Sequence, residues 1–323
     1  MSGSFFDKPR RVKTLSCFRI FYGPGNGRKE VNMSLFGKEK ETLAVSTERK
    51  ALGACLEAVH ASTPLIHNIT NYVTVNDVAN ALLACGGSPI MSDEPLDVYD
   101  ITSICGGLNI NIGTLNERSI EAMSIAGSRA RSLNHVILLD PVGAGASTLR
   151  TTTAQNIVNT ARPDVIRGNI SEIKTLAKGS GTTKGVDADA ADTVTEENLD
   201  EMVAFVKNFA AKVNAVIAIT GAIDLVADAN VCYVIRNGRP EMSRITGTGC
   251  QLSAVATAYA VANPENKVDA VAAAVCLMGL AGEIGWSRMQ EGDGNSTYRN
   301  RIIDAIFNMD SKALEEGAKY EIR

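Results

Sequence analysis

The sequence predicts an α/β fold, a single doubly wound, mostly parallel sheet with helices on both faces. Three observations carry that expectation. The runs His135–Leu139 and Ala215–Ile219 are apolar without alternation, which marks strands buried on both faces of a parallel sheet. Between such runs lie stretches with apolar residues at helical spacing. Strand-like and helical stretches then alternate with short links, as crossover connections require. A chain of 323 residues is long for one domain but within the range of α/β domains, and 45% hydrophobic content suffices for a large core.

In order, a helix is expected from Ser46 to Val59, capped by Ser46 or Thr47, with Leu52, Leu56 and Val59 on one face. Pro64–Asn71 begins as a strand and runs into turn-prone residues, where His67 reads as a locally hydrogen-bonded loop residue. Thr74 or Asn76 caps a helix carrying Val78, Ala81, Leu82 and Cys85, stopped by Gly86-Gly87. Ser88–Met91 is a brief strand. Leu108–Ile112 is another, turning at Gly113-Thr114 before a helix with Ile120, Met123 and Gly127 aligned. The His135–Leu139 strand ends in Asp140-Pro141. Val165–Asn169 and Ser171–Ile173 form a strand, a break and a capped helix start. Lys184–Asp187 opens an Asp- and Thr-rich loop, followed by a helix near 195–212. Val231, Tyr233 and Ile235 alternate before Asn237-Gly238, which reads as a hairpin turn. Helices near 250–263 and 266–287 and one holding Ile302, Ala305 and Ile306 complete the chain.

The net charge of −4 argues against nucleic acid as a main partner. Seven scattered cysteines, without a CxxC pair or metal-like spacing, read as reduced thiols of a cytoplasmic protein. No apolar run is read as long enough to span a bilayer. The first 45 residues read as a basic, disordered extension, with the folded domain over 46–323. Within it, residues 1–32 hold seven Lys/Arg against Asp7 and Glu30, about +5 against about −9 for the remainder. A targeting peptide, a solvated tail, or a natural start at Met33 would each explain this. The lack of a visible amphipathic helix favours the last two.

The chain is organised around Thr246-Gly247-Thr248-Gly249-Cys250 and the helix after it, in which Leu252, Val255, Ala256, Tyr259 and Ala260 share an apolar face. A glycine loop entering a helix gathers unpaired N–H groups and the positive dipole end, a site for phosphate. It also favours a thiolate at Cys250. The same pattern suits a tight packing loop with a buried cysteine, and both readings stand at this point.

Other polar groups fall at the carboxyl ends of strands, where open α/β sheets bind ligands. Asp140 is placed to hold a metal or act beside a phosphate, or else to bond the following turn. Arg167 offers a fork of donors suited to phosphate. Glu172 serves either the site or the cap of its own helix. With the Thr220-Gly221 turn, this is the equipment of phosphoryl transfer. No GxxxxGK[ST] loop, protein-kinase loop or Ser-His-Asp spacing is present.

From about residue 48 onward the chain resembles the hydroxyethylthiazole kinases of the ribokinase-like superfamily. The resemblance rests on PLIHNITN (64–71), SPIM (88–91), NIGTL (111–115), LDPVGAG (139–145), RGNISEI (167–173), KGVD (184–187), Thr220-Gly221 and TGTGC (246–250), in the family's order. It implies ATP-dependent phosphorylation of a thiazole alcohol for thiamine biosynthesis. It implies thiazole contacts at Met91 and Gly247, with Asn68, Gly113 and Thr114 lining the substrate site. It implies ATP positions at Arg167, Thr220, Thr248 and Gly249, Mg²⁺ carboxylates at Asp140 and Glu172, Cys250 as base or hydroxyl-orienting group, and a homotrimer. Residues 1–32 lie outside the resemblance, and Asp93–Ile104 matches it poorly. A kinase of a pyrimidine alcohol or pyridoxine, a dehydratase repairing hydrated nicotinamide cofactors, and a non-catalytic thiazole-binding protein are the alternatives. HNITN, RGNISEI and the cysteine of TGTGC argue against the first two. The intact Asp140, Glu172, Arg167 and Cys250 argue against the third.

Overall fold

The computed structural model describes residues 49–178 and 193–323. The expected N-terminal extension, the proposed caps Ser46 and Thr47, and the Lys184–Asp187 loop lie outside the described residues.

One sheet runs through the described chain. Strands β1 (Leu65–Ile69), β2 (Ser88–Met91), β3 (Gly107–Asn111), β4 (Val136–Asp140), β5 (Val165–Gly168) and β6 (Val216–Ile219) are parallel. Strands β7 (Asp224–Ala227), β8 (Cys232–Ile235) and β9 (Tyr320–Ile322) follow antiparallel, giving the order β2-β1-β3-β4-β5-β6-β7-β8-β9. The order reverses between β1 and β3, a topological switch point, where crevices for ligands form.

Two apolar cores flank the sheet. In β4, Val136 and Leu138 enter one core and Ile137 and Leu139 the other, so the unbroken apolar run does mark a strand covered on both faces. The first core is closed by α1 (Leu52–Ser62), α2 (Val75–Ala84), α8 (Thr248–Ala262), α9 (Lys267–Ser287), α10 (Asn295–Phe307) and α11 (Ser311–Gly317). The second is closed mainly by α4 (Glu117–Ser132), α5 (Thr148–Thr160), α6 (Ile170–Lys178) and α7 (Leu199–Val213). The short α3 (Val98–Ile104) packs on α4 and β1.

Local chemistry explains several boundaries. Asn116 and Ser119 form a reciprocal capping box at the start of α4, and Ser147 caps α5. Helix α1 begins later than expected, at Leu52, and stops where Thr63 turns into the left-handed region. Thr74 does precede α2, but its hydroxyl donates to Asn71 Oδ1 rather than capping the helix.

Four expectations change. Helix α8 is buried from Cys250 to Ala260, not along one face, because it lies between the sheet and the helices α1, α2 and α9. Helix α9 spans 21 residues and is apolar enough to cross a membrane by composition. It is instead a core helix, covered by α1, α8, α10 and the sheet. The hairpin exists, but its turn lies between β7 and β8, with Asp228 Oδ1 accepting the N–H groups of Asn230 and Val231. Asn237-Gly238 instead leaves the sheet toward a 3-10 turn over Pro240–Arg244. His67 sits within β1, not a loop. It is fully buried, with Nε2 2.9 Å from the Ser92 carbonyl and Nδ1 3.0 Å from Thr102 Oγ1. The carbonyl can only accept, so Nε2 carries the proton. Burial lowers the pKa of His67, keeping it a neutral clamp on the segment after Met91.

Candidate active site

Because β1 to β6 are parallel, their carboxyl ends share one edge of the sheet, and the N-terminus of α8 enters there. Asn111 and Asp140 are direct neighbours across β3 and β4. Asp140 is fully buried, and its Oδ2 accepts hydrogen bonds from Asn111 Nδ2 at 2.8 Å and Ser253 Oγ at 2.8 Å. Its Oδ1 has no hydrogen bond and lies 3.6 Å from the Arg167 guanidinium. Burial raises the Asp140 pKa, against the pull of Arg167, Ser253 and Asn111. On the other side, Arg167 donates to Thr220 Oγ1 at 2.6 Å.

The glycines of the TGTGC loop have separate reasons. Gly247 caps α8 with φ of 87°, and a Cβ there would stand 2.4 Å from Thr74 Cγ2. A Cβ on Gly249 would stand 2.5 Å from the Arg167 guanidinium, which therefore lies across the bare first turn of α8. No side chain caps this helix, and Gln251 N–H closes the first turn on the Gly247 carbonyl. The N–H groups ahead of it are those that a helix leaves without intrahelical partners, so anion-binding geometry is realised here.

Cys250 Sγ accepts from Asn71 Nδ2 and Asn111 Nδ2, each at 3.2 Å. The helix terminus does not make it an easily ionised thiol. Burial raises its pKa, the Asp140 charge adds to the rise, and bonds from Thr74 and Asn71 oppose it.

Glu172 combines its two readings. It closes a capping box with Asn169, each accepting the other's N–H at 2.8 Å, while its second oxygen accepts Gly143 N–H at 2.8 Å. Burial raises its pKa, and the Asp140 charge acts in the same direction. Among the described residues no group of three or more His, Cys, Asp or Glu could hold a metal. The unpartnered Asp140 Oδ1 with Glu172 nearby fits a cation that takes one or two carboxylates and leaves its other positions to water and phosphate, as Mg²⁺ does.

A cavity of about 520 Å³ opens beside α8, and Arg167, Thr220, Thr248 and Gly249 all line it. Its further wall comes from Asp224, the 236–243 segment, and Val275, Met278 and Gly279 of α9. Sequence reasoning missed that wall, since its residues belong to distant elements with no shared pattern. Met91, Asn68, Gly113, Thr114 and Gly247 do not line it; they lie at or beside the switch point. Asn68 is buried, donates to the Ile66 carbonyl and accepts from Asn109. Thr114 Oγ1 accepts Tyr72 N–H at 3.3 Å, and the Gly113 carbonyl accepts from Arg150. Asn71, Asn111 and Ser253 were not singled out from the sequence. For Asn111 and Ser253 the available signal was a polar residue inside an otherwise apolar strand or helix, whereas Asn71 lies between β1 and α2.

A family model described as the hydroxyethylthiazole kinase family matches residues 56–312. The chain is similar to a hydroxyethylthiazole kinase of Clostridium acetobutylicum, 58% identical over 266 residues, which cover 82% of this chain and 97% of that protein. Among solved structures it is similar to the hydroxyethylthiazole kinase protein of Pyrococcus horikoshii OT3. There the TM-score is 0.74 at 30% identity, over 84% of this chain and 98% of the other. The pyridoxal kinase of Staphylococcus aureus in complex with ADP shares the fold alone, with a TM-score of 0.54 at 14% identity over 80% and 97% of the two chains. Fold, sheet-edge site and sequence thus converge over one continuous region, and this protein belongs to the hydroxyethylthiazole kinase family.

Proposed function

We propose that this protein transfers the γ-phosphoryl group of ATP to the hydroxyl of 4-methyl-5-(2-hydroxyethyl)thiazole, giving the thiazole phosphate used in thiamine biosynthesis. The observation that supports it most is the meeting of Asp140, Arg167, Cys250 and the open N-terminus of α8 at one sheet edge. ATP occupies the cavity lined by Arg167, Thr220, Thr248 and Gly249, with its phosphates toward the α8 N-terminus. The thiazole sits at the switch-point side, contacted by Met91 and Gly247 and bordered by Gly113 and Thr114.

An alcohol is a weak nucleophile, so alignment and charge stabilisation supply most of the acceleration. The N–H groups of Thr248, Gly249 and Cys250 face the transferring phosphoryl. Arg167 neutralises phosphate charge and is itself oriented by Thr220 and Asp140. Cys250 meets the substrate hydroxyl. Asp140, with Glu172 through water, would hold Mg²⁺, which when bound offsets phosphate charge.

The folded unit is the domain over 46–323, working in the cytoplasm as a homotrimer. Exposed Tyr72, Val73 and Leu96 near the switch point suit a subunit boundary. A coupled ADP-release assay over the thiazole alcohol, hydroxymethylpyrimidine and pyridoxine tests the reading. Turnover is expected with the thiazole alcohol, and turnover with another alcohol alone would reassign the substrate.

A further inference from the structure

Two buried asparagines meet at the sulfur of Cys250, and their orientations follow from neighbours that can only donate. Asn111 Oδ1 accepts Gly113 N–H at 2.9 Å, and Asn71 Oδ1 accepts Thr74 N–H at 3.1 Å. A backbone N–H has no acceptor capacity, so each amide must turn its NH₂ group the other way. Asn111 then offers one N–H to Asp140 Oδ2 at 2.8 Å and the other to Cys250 Sγ at 3.2 Å. Asn71 offers one to Asn111 Oδ1 at 3.1 Å and the other to Sγ at 3.2 Å. Both residues are at least nine-tenths buried, so neither amide is free to exchange these partners for water.

Bonded to Cβ and facing these two amide donors, with the Thr74 hydroxyl beside it giving its proton to Asn71 Oδ1, the sulfur has one tetrahedral direction not held by a donor. We propose that Asn71 and Asn111 are positioning residues that hold Cys250 Sγ as a double acceptor and so aim its remaining direction at the substrate hydroxyl. This rests on the kinase reading above. It also explains why Asn71 follows β1 and Asn111 closes β3, the two strands that flank the switch point. There the loops after β1 and β3 reach the first turn of α8 together, and the thiol is oriented from the substrate side rather than from its own helix. Through Asn111 the same network ties the sulfur to the carboxylate of Asp140.

A purely structural role would confine Asn71 to the Thr74 turn, and Asn71→Asp separates the two possibilities. It keeps an oxygen for Thr74 N–H but replaces the donors facing Sγ and Asn111 with an acceptor. The experiment compares steady-state ADP release by the wild type, Asn71→Asp, Cys250→Ala and the double variant. Asn71→Asp is expected to lower kcat by about 10- to 100-fold with the ATP KM within about twofold of wild type. In the Cys250→Ala background it should cost less than about a further twofold, because its action passes through the sulfur. Losses that multiply, an Asn71→Asp kcat equal to wild type, or an undiminished Cys250→Ala would each overturn the proposal. Failure of the kinase reading looks different, since the wild type itself would release no ADP. Should Asn71→Asp not fold, Asn71→Ser carries the same cycle. Its hydroxyl can accept Thr74 N–H in an equivalent turn but is too short to donate to Sγ and Asn111 together.

Discussion

Gly249→Ala is expected to separate stability from function. Gly249 is the second residue of α8 and has no left-handed φ, so its backbone suits alanine. Alanine in a helix is favoured over glycine by about 0.5–1 kcal/mol. Taken alone, in a domain of this size, that is worth a rise of roughly 1–4 °C in Tm. The new Cβ, however, would stand 2.5 and 2.6 Å from the two terminal nitrogens of Arg167, whereas ordinary contact begins at 3.4 Å. The guanidinium is the far end of a flexible side chain, so the fold holds and the guanidinium withdraws by roughly 1 Å. That breaks its 2.6 Å bond to Thr220 and moves it off the cavity wall. A phosphate that no longer meets the displaced guanidinium loses a hydrogen bond to a charged group, about 1.5–3 kcal/mol, a rise of about 10- to 100-fold in the ATP KM. Thermal unfolding and ADP release with ATP varied measure the two effects on one sample. An ATP KM within twofold of wild type would refute the placement of Arg167 on the nucleotide. The lost Thr220 bond offsets the helix gain, so only a fall in Tm of more than about 10 °C would refute the claim that Arg167 can yield.

Four further outcomes follow from the same geometry. Arg167→Ala should raise the ATP KM with the thiazole KM little changed, and the reverse pattern would remove its nucleotide assignment. Cys250→Ala should lower kcat by about 10²–10⁴-fold, and a near-normal kcat would make the cysteine merely structural. Gly247→Ala forces a side chain into a φ of 87° and against Thr74. It should cost about 1–3 kcal/mol, visible as a lower Tm, and adding Thr74→Ser should restore only the part due to the Cγ2 contact, since Cβ of residue 74 stays 2.9 Å away. Asp224, whose carboxyl burial pushes up to about 7, holds a proton in the folded state that the unfolded chain has already released. Its contribution to stability is therefore lost as pH rises from about 4 through about 7. Asp224→Asn should raise Tm most above pH 7, with a gain that shrinks toward pH 4, and a pH-independent gain would contradict this.

The sequence by itself determined the six parallel strands and β8, though not β7 or β9, and the order of the chemistry along them. Short unbroken apolar runs such as Val136–Leu139, bounded by turn residues, fit strands covered on both faces, and parallel strands put every carboxyl-end residue at one edge. That is why Asp140, Arg167, Thr220 and the TGTGC loop were legible as one site. Helices with a single apolar face were legible for the same reason. The extents of α8 and α9 were legible too, but their burial on all sides was not, because it leaves no single face to read.

Only the tertiary structure decided which polar atoms face each other. Asn68 and Asn111 look alike as polar residues in apolar strands, yet Asn68 closes on Ile66 and Asn109 while Asn111 reaches Asp140 and Cys250. Glu172 could be read as a cap or as a site acid, and the fold makes it a cap that also holds Gly143. The cavity wall from Asp224 and the 236–243 segment is assembled from pieces far apart in the chain. Spacing along a chain fixes which face of an element a residue occupies. The partner it meets there is set by packing between elements, and it is packing that turned Cys250 from an easily ionised thiol at a helix end into a buried one held between two asparagines.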